Sequence, residues 1–154
     1  MNPVSTPIVS AMTAAATVLK LEVEVFKVHG PSDFVGAFEA IAKSRVNAVA
    51  VTEDGEFAAS FKTIAALAAA KKLPSIGSKE YAEAGGLIGY GVNILSLYRR
   101  AAYFIDRILK GSKPADLPIE QPTRFDFVIN LKTAKALGLA VPPSLLTRVD
   151  ELIE

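Results

Sequence analysis

Residues 47–77 read NAVAVTEDGEFAASFKTIAALAAAKKLPSIG, and this stretch decides the fold class. It starts with a short, continuous apolar run, which predicts a strand that is buried on both faces of a parallel sheet. From Phe57 to Ala70 the apolar residues recur at helical spacing and predict a helix. Leu73 to Gly77 predicts another short strand. A strand, a helix and a strand with short connections indicate a parallel, right-handed βαβ unit.

The sequence on the N-terminal side continues this alternation. Thr6 and Pro7 are typical of a helix start, and the alanine-rich run that follows predicts a helix to Leu19. Residues 21–28, LEVEVFKV, alternate apolar and charged side chains and predict a strand with one face partly wet. Residues 32–42 repeat apolar side chains at helical spacing and predict a second helix. The chain therefore has the element order of an α/β fold.

The sequence on the C-terminal side predicts one long helix and several short elements. The long helix covers residues 94–110 and stops at Gly111. Prolines at three positions predict an extended connector over residues 112–123. The other predicted elements are a short helix at 78–84, a glycine-containing strand that ends at 91, a strand at 125–129, a short helix at 131–137 and a terminal helix from 142 to 153.

Composition excludes several classes of function. A chain of 154 residues with 51% hydrophobic content is long enough for one domain with a core and too short for two ordinary ones. Its 17 basic and 16 acidic residues nearly balance, so we expect no nucleic acid as a partner. There is no cysteine, which excludes disulfides, thiolate metal sites and thiol catalysis.

The apolar segment from Ile8 to Leu21 predicts neither a signal peptide nor a membrane span. No Lys or Arg precedes it, as a signal peptide would require. It is also shorter than the roughly 20 apolar residues that a spanning helix needs. We therefore expect no membrane insertion. We expect a cytoplasmic location for the chain alone, and a periplasmic one if it is a portion of a longer exported precursor.

The sequence contains no recognisable catalytic or metal-binding apparatus. The glycines at 86, 89 and 91 run in the reverse order of a dinucleotide fingerprint, so we interpret them as points of close backbone approach. His29 is the only histidine and stands before a predicted turn, which favours a loop role. The sequence therefore predicts no catalytic residue, no metal ligand and no cofactor.

Two charged clusters are open to more than one interpretation. Glu53, Asp54 and Glu56 follow a predicted buried strand, where open α/β sheets place ligands, but acids at helix N-termini are also common. Arg99 and Arg100 lie within the long helix. They are interpreted as one solvated side chain and one packed along an apolar face, with a partner contact as the alternative.

Three stretches in the second half of the chain carry a specific resemblance. They are residues 85–91, GGLIGYG; residues 98–103, YRRAAY; and residues 108–123, ILKGSKPADLPIEQPT. They are similar to the signatures G-G-L-M-S-Y-G, R-R-A-A and ILKGAKPADLPVEQPT, and the match continues to the end of the chain. The sequence is thereby identified as a member of the ABC-transporter substrate-binding proteins, which have a type 1 periplasmic-binding fold.

The resemblance implies that this chain is the C-terminal half of a protein with two α/β lobes that close on a small solute. The first lobe would precede the position of Asn2 and Pro3. Residues 1–84 and 124–154 would form the second, α/β lobe with a parallel sheet. Residues 85–123 would supply a hinge strand, the long helix and a connector that belong to the first lobe.

The resemblance also implies a ligand site at Thr52, Asp54, Tyr90 and Gly91. The ligand would be a small organic solute such as an amino acid, with no cofactor, and the partner of the full-length protein would be an ABC permease. The family usually has Ser where this chain has Gly89, so a hydroxyl that could touch the ligand is absent.

Alternative functions remain open. A transport-inactive interaction or regulatory domain is one, because a single lobe cannot close a cleft over a solute. A flavodoxin-like enzyme is another, although it rests on the parallel sheet alone. The long helix carries more apolar residues than a helix with one side exposed to solvent should carry. We therefore also expect a homo-oligomer, in the simplest case a two-fold dimer.

The absence of nucleophile–base pairs leads to a first prediction. We expect a broad screen of hydrolytic, transfer and redox substrates to give no turnover. Turnover that disappears on changing His29 or Asp54 would contradict the interpretation of the chain as a binding protein.

Overall fold

The computed structural model describes residues 5–154, which fold around a five-stranded sheet. The strands follow the chain in order across the sheet. Neighbouring strands are parallel, except that the third and fourth are antiparallel. The strands are β1 (Val49–Ala50), β2 (Ser75–Gly77), β3 (Ile88–Val92), β4 (Phe125–Asn130) and β5 (Glu151–Ile153). The predicted α/β class with a mainly parallel sheet is confirmed.

Eight α-helices connect and flank these strands in the described part of the chain. Side-chain caps begin three of them: the side chains of Asp54, Asn93 and Asn130 accept hydrogen bonds from backbone N–H groups of the first turn. The helices are α1 (Ser5–Val18), α2 (Phe34–Lys43), α3 (Gly55–Ala58), α4 (Phe61–Ala70), α5 (Lys79–Glu83), α6 (Ile94–Leu109), α7 (Leu131–Ala136) and α8 (Pro143–Leu146). Among residues 5–154 no helix is both long and apolar enough to cross a membrane.

The main core lies where α2 and α4 pack beside α5. It consists of side chains at helical spacing, which is why the apolar periodicity predicted these helices correctly. Its buried members are Phe34, Phe38, Ile41, Phe61, Ile64, Ala65, Ala68 and Tyr81. Val49 and Val51 of the β1 region pack against this cluster from the sheet.

Tyr81 fastens α5 to the sheet. Its side chain is fully buried, its hydroxyl donates a hydrogen bond to Ser75 Oγ at 2.8 Å, and its ring meets Phe61 edge-on. A Cβ added at Gly77 would lie 2.7 Å from this ring, and one at Gly86 would lie 2.2 Å from it. Both glycines are therefore required for the helix to approach the strands this closely. Burial also raises the pKa of the Tyr81 hydroxyl, which stays protonated and able to donate.

The predicted strand at residues 21–28 is wrong. The segment has no regular secondary structure, and Phe26 and Val28 pack against the main core while Val23 and Val25 are exposed. A strand also needs a neighbour for its backbone N–H and C=O groups. Within residues 5–154 the sheet ends at β1, so this segment joins no ladder. The alternating apolar residues Leu21, Val23 and Val25 are exposed, so the alternation does not mark a buried face here.

Three further boundaries differ from the predictions. β1 is an edge strand with partly exposed residues, so its predicted burial on both faces is wrong. The helix predicted from residue 57 to 70 is divided, because Ser60 leaves helical geometry between α3 and α4. The predicted terminal helix ends at Leu146. Asp150 then exchanges hydrogen bonds with Phe127, through its carboxylate and its backbone N–H, and this pairing starts β5.

The close approach at Gly86 gives a prediction about stability. We expect Gly86→Ala to lower the free energy of unfolding by about 1–3 kcal/mol, because the new methyl group would overlap a buried ring that its neighbours hold in place. Gly36→Ala is the matched control. It lies within α2 with no atom near its added Cβ, and should raise stability by about 0.5–1 kcal/mol through helix propensity.

Urea unfolding of the two variants measures the difference as a change of midpoint at constant slope. Equal midpoints for Gly86→Ala and Gly36→Ala would show that α5 can move away from the sheet at little cost.

Candidate functional site

The segments that follow β1 and β2 meet Gly91 of β3 at one edge of the sheet. β2 and β3 pair through Gly77 and Gly89, so Gly91 lies level with the turn that follows β2. The carboxyl ends of parallel strands are where open α/β sheets bind ligands. This edge is therefore the candidate ligand site.

The Glu53 carboxylate lies over the backbone of Gly91. A Cβ added at Gly91 would be 2.9 Å from Glu53 Oε1 and 3.7 Å from Ser78 Cα. Any larger residue at position 91 would therefore displace the carboxylate. Glu53 is solvent-exposed and Ser78 is half-buried, so both can be reached by a solute. The sequence singled out Glu53 as one of three acids after the strand, but gave no signal for Ser78.

Asp54 and Thr52 flank this carboxylate. The Asp54 carboxylate accepts a hydrogen bond of 2.9 Å from the backbone N–H of Glu56 and caps α3, so it has a structural task in this loop. Thr52 is half-buried and follows Val51, whose N–H donates to the carbonyl of Ile76. Asp54 thus acts as a helix cap, which is one interpretation of the acidic cluster, and Glu53 faces Gly91. Ligand binding by the cluster stays a prediction.

Tyr90 lies on the other face of the sheet. Successive residues of a strand point to opposite sides, so its side chain leaves the face where Gly91 meets Glu53. Its ring stacks on Phe125 with centroids 5.9 Å apart and meets Phe127 edge-on. The structure brings Glu53, which lies between Thr52 and Asp54 in the chain, to Gly91 and places the Tyr90 ring on the other face. Ligand contact by these four residues stays a prediction.

A polar groove of about 390 Å³ adjoins this edge. Lys79 Nζ lies 2.6 Å from Glu151 Oε2 and 3.8 Å from Glu83 Oε1, and the hydrogen bond to Glu151 raises the pKa of Lys79. Asn93 Nδ2 donates to both oxygens of the Asp126 carboxylate. The groove is lined by Lys79, Glu80, Glu83, Asn93, Ile94, Leu95 and Asp126. One ammonium group and three carboxylates thus line the groove, which offers both signs of charge to a polar solute.

Gly89 does not face this groove. A Cβ there would lie 2.8 Å from the carbonyl oxygen of Ser78, 2.9 Å from Lys79 Cα and 3.0 Å from Ala82 Cβ. The position is buried under the start of α5. In this chain the glycine therefore serves close packing, and a serine hydroxyl at this position would point into α5 and away from the site.

His29 does not line this groove. His29 lies in an exposed loop, where its backbone N–H donates to the Asp33 carboxylate. This hydrogen bond lowers the pKa of Asp33. Residues 5–154 contain no group of three or more side chains placed to hold a metal ion.

A mainly parallel sheet with a polar groove at its carboxyl edge is the arrangement in which open α/β domains bind ligands. The family model for ABC transporter substrate binding proteins matches residues 2–153. The chain belongs to this family.

Solved structures share the fold over almost the whole chain. The ABC domain in complex with L-Trp from Streptococcus pneumonia is 30% identical, with a TM-score of 0.88 over 97% of this chain and 50% of that one. A conserved domain protein from Vibrio cholerae is 21% identical, with a TM-score of 0.88 over 96% of this chain and 50% of its own. A ligand-free, open substrate binding protein with adhesive properties from Clostridium difficile is 20% identical, with a TM-score of 0.72 over 99% and 51%.

The chain thus spans about half the length of the solved structures that it matches. The first of these structures is similar in sequence as well as fold, whereas the other two, which are below 25% identity, show the fold alone. No curated protein matches the chain.

Substitutions at two glycines distinguish the packing role of Gly89 from the role of Gly91 in the candidate site. We expect Gly89→Ser to cost about 1–3 kcal/mol of unfolding free energy, because backbone atoms block the new side chain. Gly91→Ala should change stability by less than about 0.5 kcal/mol, since the nearest atom is the end of the flexible Glu53 side chain. Thermal unfolding of both proteins tests this order. A Gly91→Ala variant that is the less stable of the two would contradict the assignment.

Proposed function

We propose that this chain is the solute-binding part of an ABC import system and holds an amino acid at the edge formed by Glu53, Ser78 and Gly91. The observation that carries the proposal is the exposed Glu53 carboxylate over the bare backbone of Gly91. A carboxylate in this position accepts charge-assisted hydrogen bonds from an ammonium group. The glycine beneath it lets the carboxylate lie against the strand while the Glu53 side chain stays exposed to solvent.

Several observations support an amino acid as the solute. The adjoining groove carries the Lys79 ammonium close to carboxylates, so both ends of a zwitterion find a partner of opposite charge nearby. Its volume lies within the range of about 300–1,000 Å³ that small-molecule sites occupy. The relative with 30% identity is a complex with L-Trp, which makes an aromatic amino acid the first solute to test.

The edge encloses a solute from one side only. Binding sites normally bury most of the surface of their ligand. Because the chain spans half the length of the solved relatives, the other half of such a protein would supply the second wall. The proposal therefore includes weak binding by this chain alone, and an exported, two-lobed receptor that delivers solute to an ABC permease.

In this proposal the chain binds and releases its solute unchanged and is not an enzyme. Membership of a substrate-binding family supports this view. The second candidate function is an interaction or regulatory domain without transport. It is favoured by the exposed apolar face of α6, which gives the chain a surface for another protein.

The absence of tryptophan from the chain provides a direct binding test. L-Trp can be excited selectively in the presence of the protein, so its emission and anisotropy report binding without a label. We expect a dissociation constant well above the micromolar range, because half of the enclosing surface is missing. Micromolar or tighter binding by the monomeric chain would contradict the two-walled site.

The same titration locates the site. Glu53→Gln should weaken binding of L-Trp by about tenfold, since it removes the charge from one hydrogen bond to the ammonium group. Glu56→Gln is the matched control, because it removes an exposed acid three residues away in the same loop region and should leave the affinity unchanged. Equal losses in the two variants would indicate a general charge effect and contradict a site at Glu53. Comparison with other amino acids then defines the solute.

A further inference from the structure

The outer edge of β1 has the sequence of a strand that is paired on both sides. Residues 47–51, NAVAV, contain a continuous apolar run, which is typical of interior strands of a parallel sheet. The backbone N–H groups of Val49 and Val51 both donate to carbonyl groups on the β2 side. Successive N–H groups of a strand point in opposite directions, so the N–H and C=O groups of Ala50 point to the outer side. Within residues 5–154 no strand pairs with that side.

Residues 21–28 lie under the same helix as β1 and run in the same direction. Their two half-buried side chains, Phe26 and Val28, pack against the core cluster that the β1 region also contacts. The Ser44 hydroxyl, at the end of α2, donates to the Glu24 carboxylate at 3.1 Å. The segment therefore starts near the end of α2, where β1 also begins, and it finishes near the start of that helix.

Apolar side chains near this edge are exposed within the described chain. Val18 at the end of α1 is 81% exposed, Leu21 61%, Val23 42% and Val25 47%. The last three alternate along the chain, at the spacing of one face of a strand. Neighbours on the same face of an added strand would cover part of each of these side chains. The segment also has the alternation of a strand and joins no ladder.

The α1 helix indicates how a further strand would be connected. Parallel neighbours are joined by a crossover of a dozen or more residues, usually a helix, and α1 has 14 residues and directly precedes residues 21–28. A strand that leads into α1 can therefore pair between residues 21–28 and β1 through a right-handed crossover. Counted from the added strand, the sheet then has the order 2-1-3-4-5 up to β3, which is a common order of doubly wound sheets.

We propose that the outer edge of β1 accepts one more parallel strand, which leads directly into α1 and is supplied by the other half of a two-lobed protein. This strand is apolar on both faces, because it lies in the interior of the sheet. The chain spans about half the length of each solved structure that it matches, which supports this occupant. The added strand presupposes the two-lobed form of the proposed function, but not the identity of its solute.

Two incorrect sequence predictions have a common explanation in this proposal. A strand at residues 21–28 and burial of β1 on both faces each require a neighbour at this edge. The carboxyl end of the added strand would lie beside the carboxyl end of β1, which Thr52 and Glu53 follow. In sheets of this order, ligands bind in the crevice between the first and third strands. The added strand would therefore form part of the wall of the candidate site.

An extended form of the full chain tests the proposal without a solute. A strand-forming extension, KVVIVVT, is fused before Met1, and a control chain carries KSGSGST at the same place. We expect the Ala50 amide to exchange its hydrogen roughly tenfold or more slowly relative to Val51 in the first chain than in the control. The Val51 amide already donates to Ile76 and corrects for any change in global stability. Both chains are compared as monomers, which sedimentation confirms.

Ala50→Pro provides the matched variant. It removes the outward N–H group and leaves the N–H groups that donate to β2, so a proline is tolerated at this edge. The apolar extension should lower the unfolding equilibrium constant of the natural chain by roughly tenfold or more and leave that of the Ala50→Pro chain unchanged. Circular dichroism checks that the variant folds, and if it does not, the exchange ratio in the natural sequence decides.

Several results would overturn the proposal. They are an unchanged exchange ratio, equal stabilisation by the two extensions, and equal gains in the natural and Ala50→Pro chains. Protection of the Ala50 amide that grows with the concentration of the natural chain would show that a second copy occupies the edge, and would overturn it too. Failure of the chain to bind L-Trp would contradict the proposed solute and leave these results unaffected.

Discussion

The position of α5 on the sheet depends on one side chain, Tyr81, which lies between the backbones of two glycines. Because Gly77 and Gly86 have no side chain, this ring can lie against β2 and the turn before β3. The Tyr81 hydroxyl donates a hydrogen bond to the Ser75 hydroxyl in the interior, where an unpaired polar group would be costly. The packed ring therefore restrains rotation and sliding of α5 along the strands.

The rest of the site follows from this placement. Asn130 Nδ2 donates to the carbonyl of Ala82 in α5, and Thr133 Oγ1 donates to the carbonyl of Gly85, so α7 is tied to the same helix. The start of α5 presses on Gly89, which sets Ser78 above the edge of β3. Ser78 and Glu53 then meet over Gly91. The glycines at 77, 86, 89 and 91 thus have a common physical basis, since three admit α5 and the last admits the carboxylate.

The features that were predicted correctly from the sequence depend on the local periodicity of apolar residues and on the family resemblance. The helices α2, α4 and α6, the strand at Phe125 and the α/β class all follow from repeats of apolar residues. The incorrect predictions concern segments whose secondary structure depends on pairing with a distant part of the chain. Residues 21–28 have the alternation of a strand but no neighbouring strand in the described chain, and β5 forms because Asp150 pairs with Phe127. The role of Gly89 could not be predicted either, because a packing contact with residues 78–82 is visible only once the chain is folded.

Asn93 joins the long helix to the polar groove. Its side chain accepts a hydrogen bond from the backbone N–H of Ser96 and caps α6, and its Nδ2 donates to both oxygens of the Asp126 carboxylate, which also lines the groove. One amide side chain therefore satisfies a backbone donor in the first turn of α6 and orients a carboxylate of the groove. Because Leu95 of α6 lines the same groove, the start of this helix and the shape of the groove depend on the same contact.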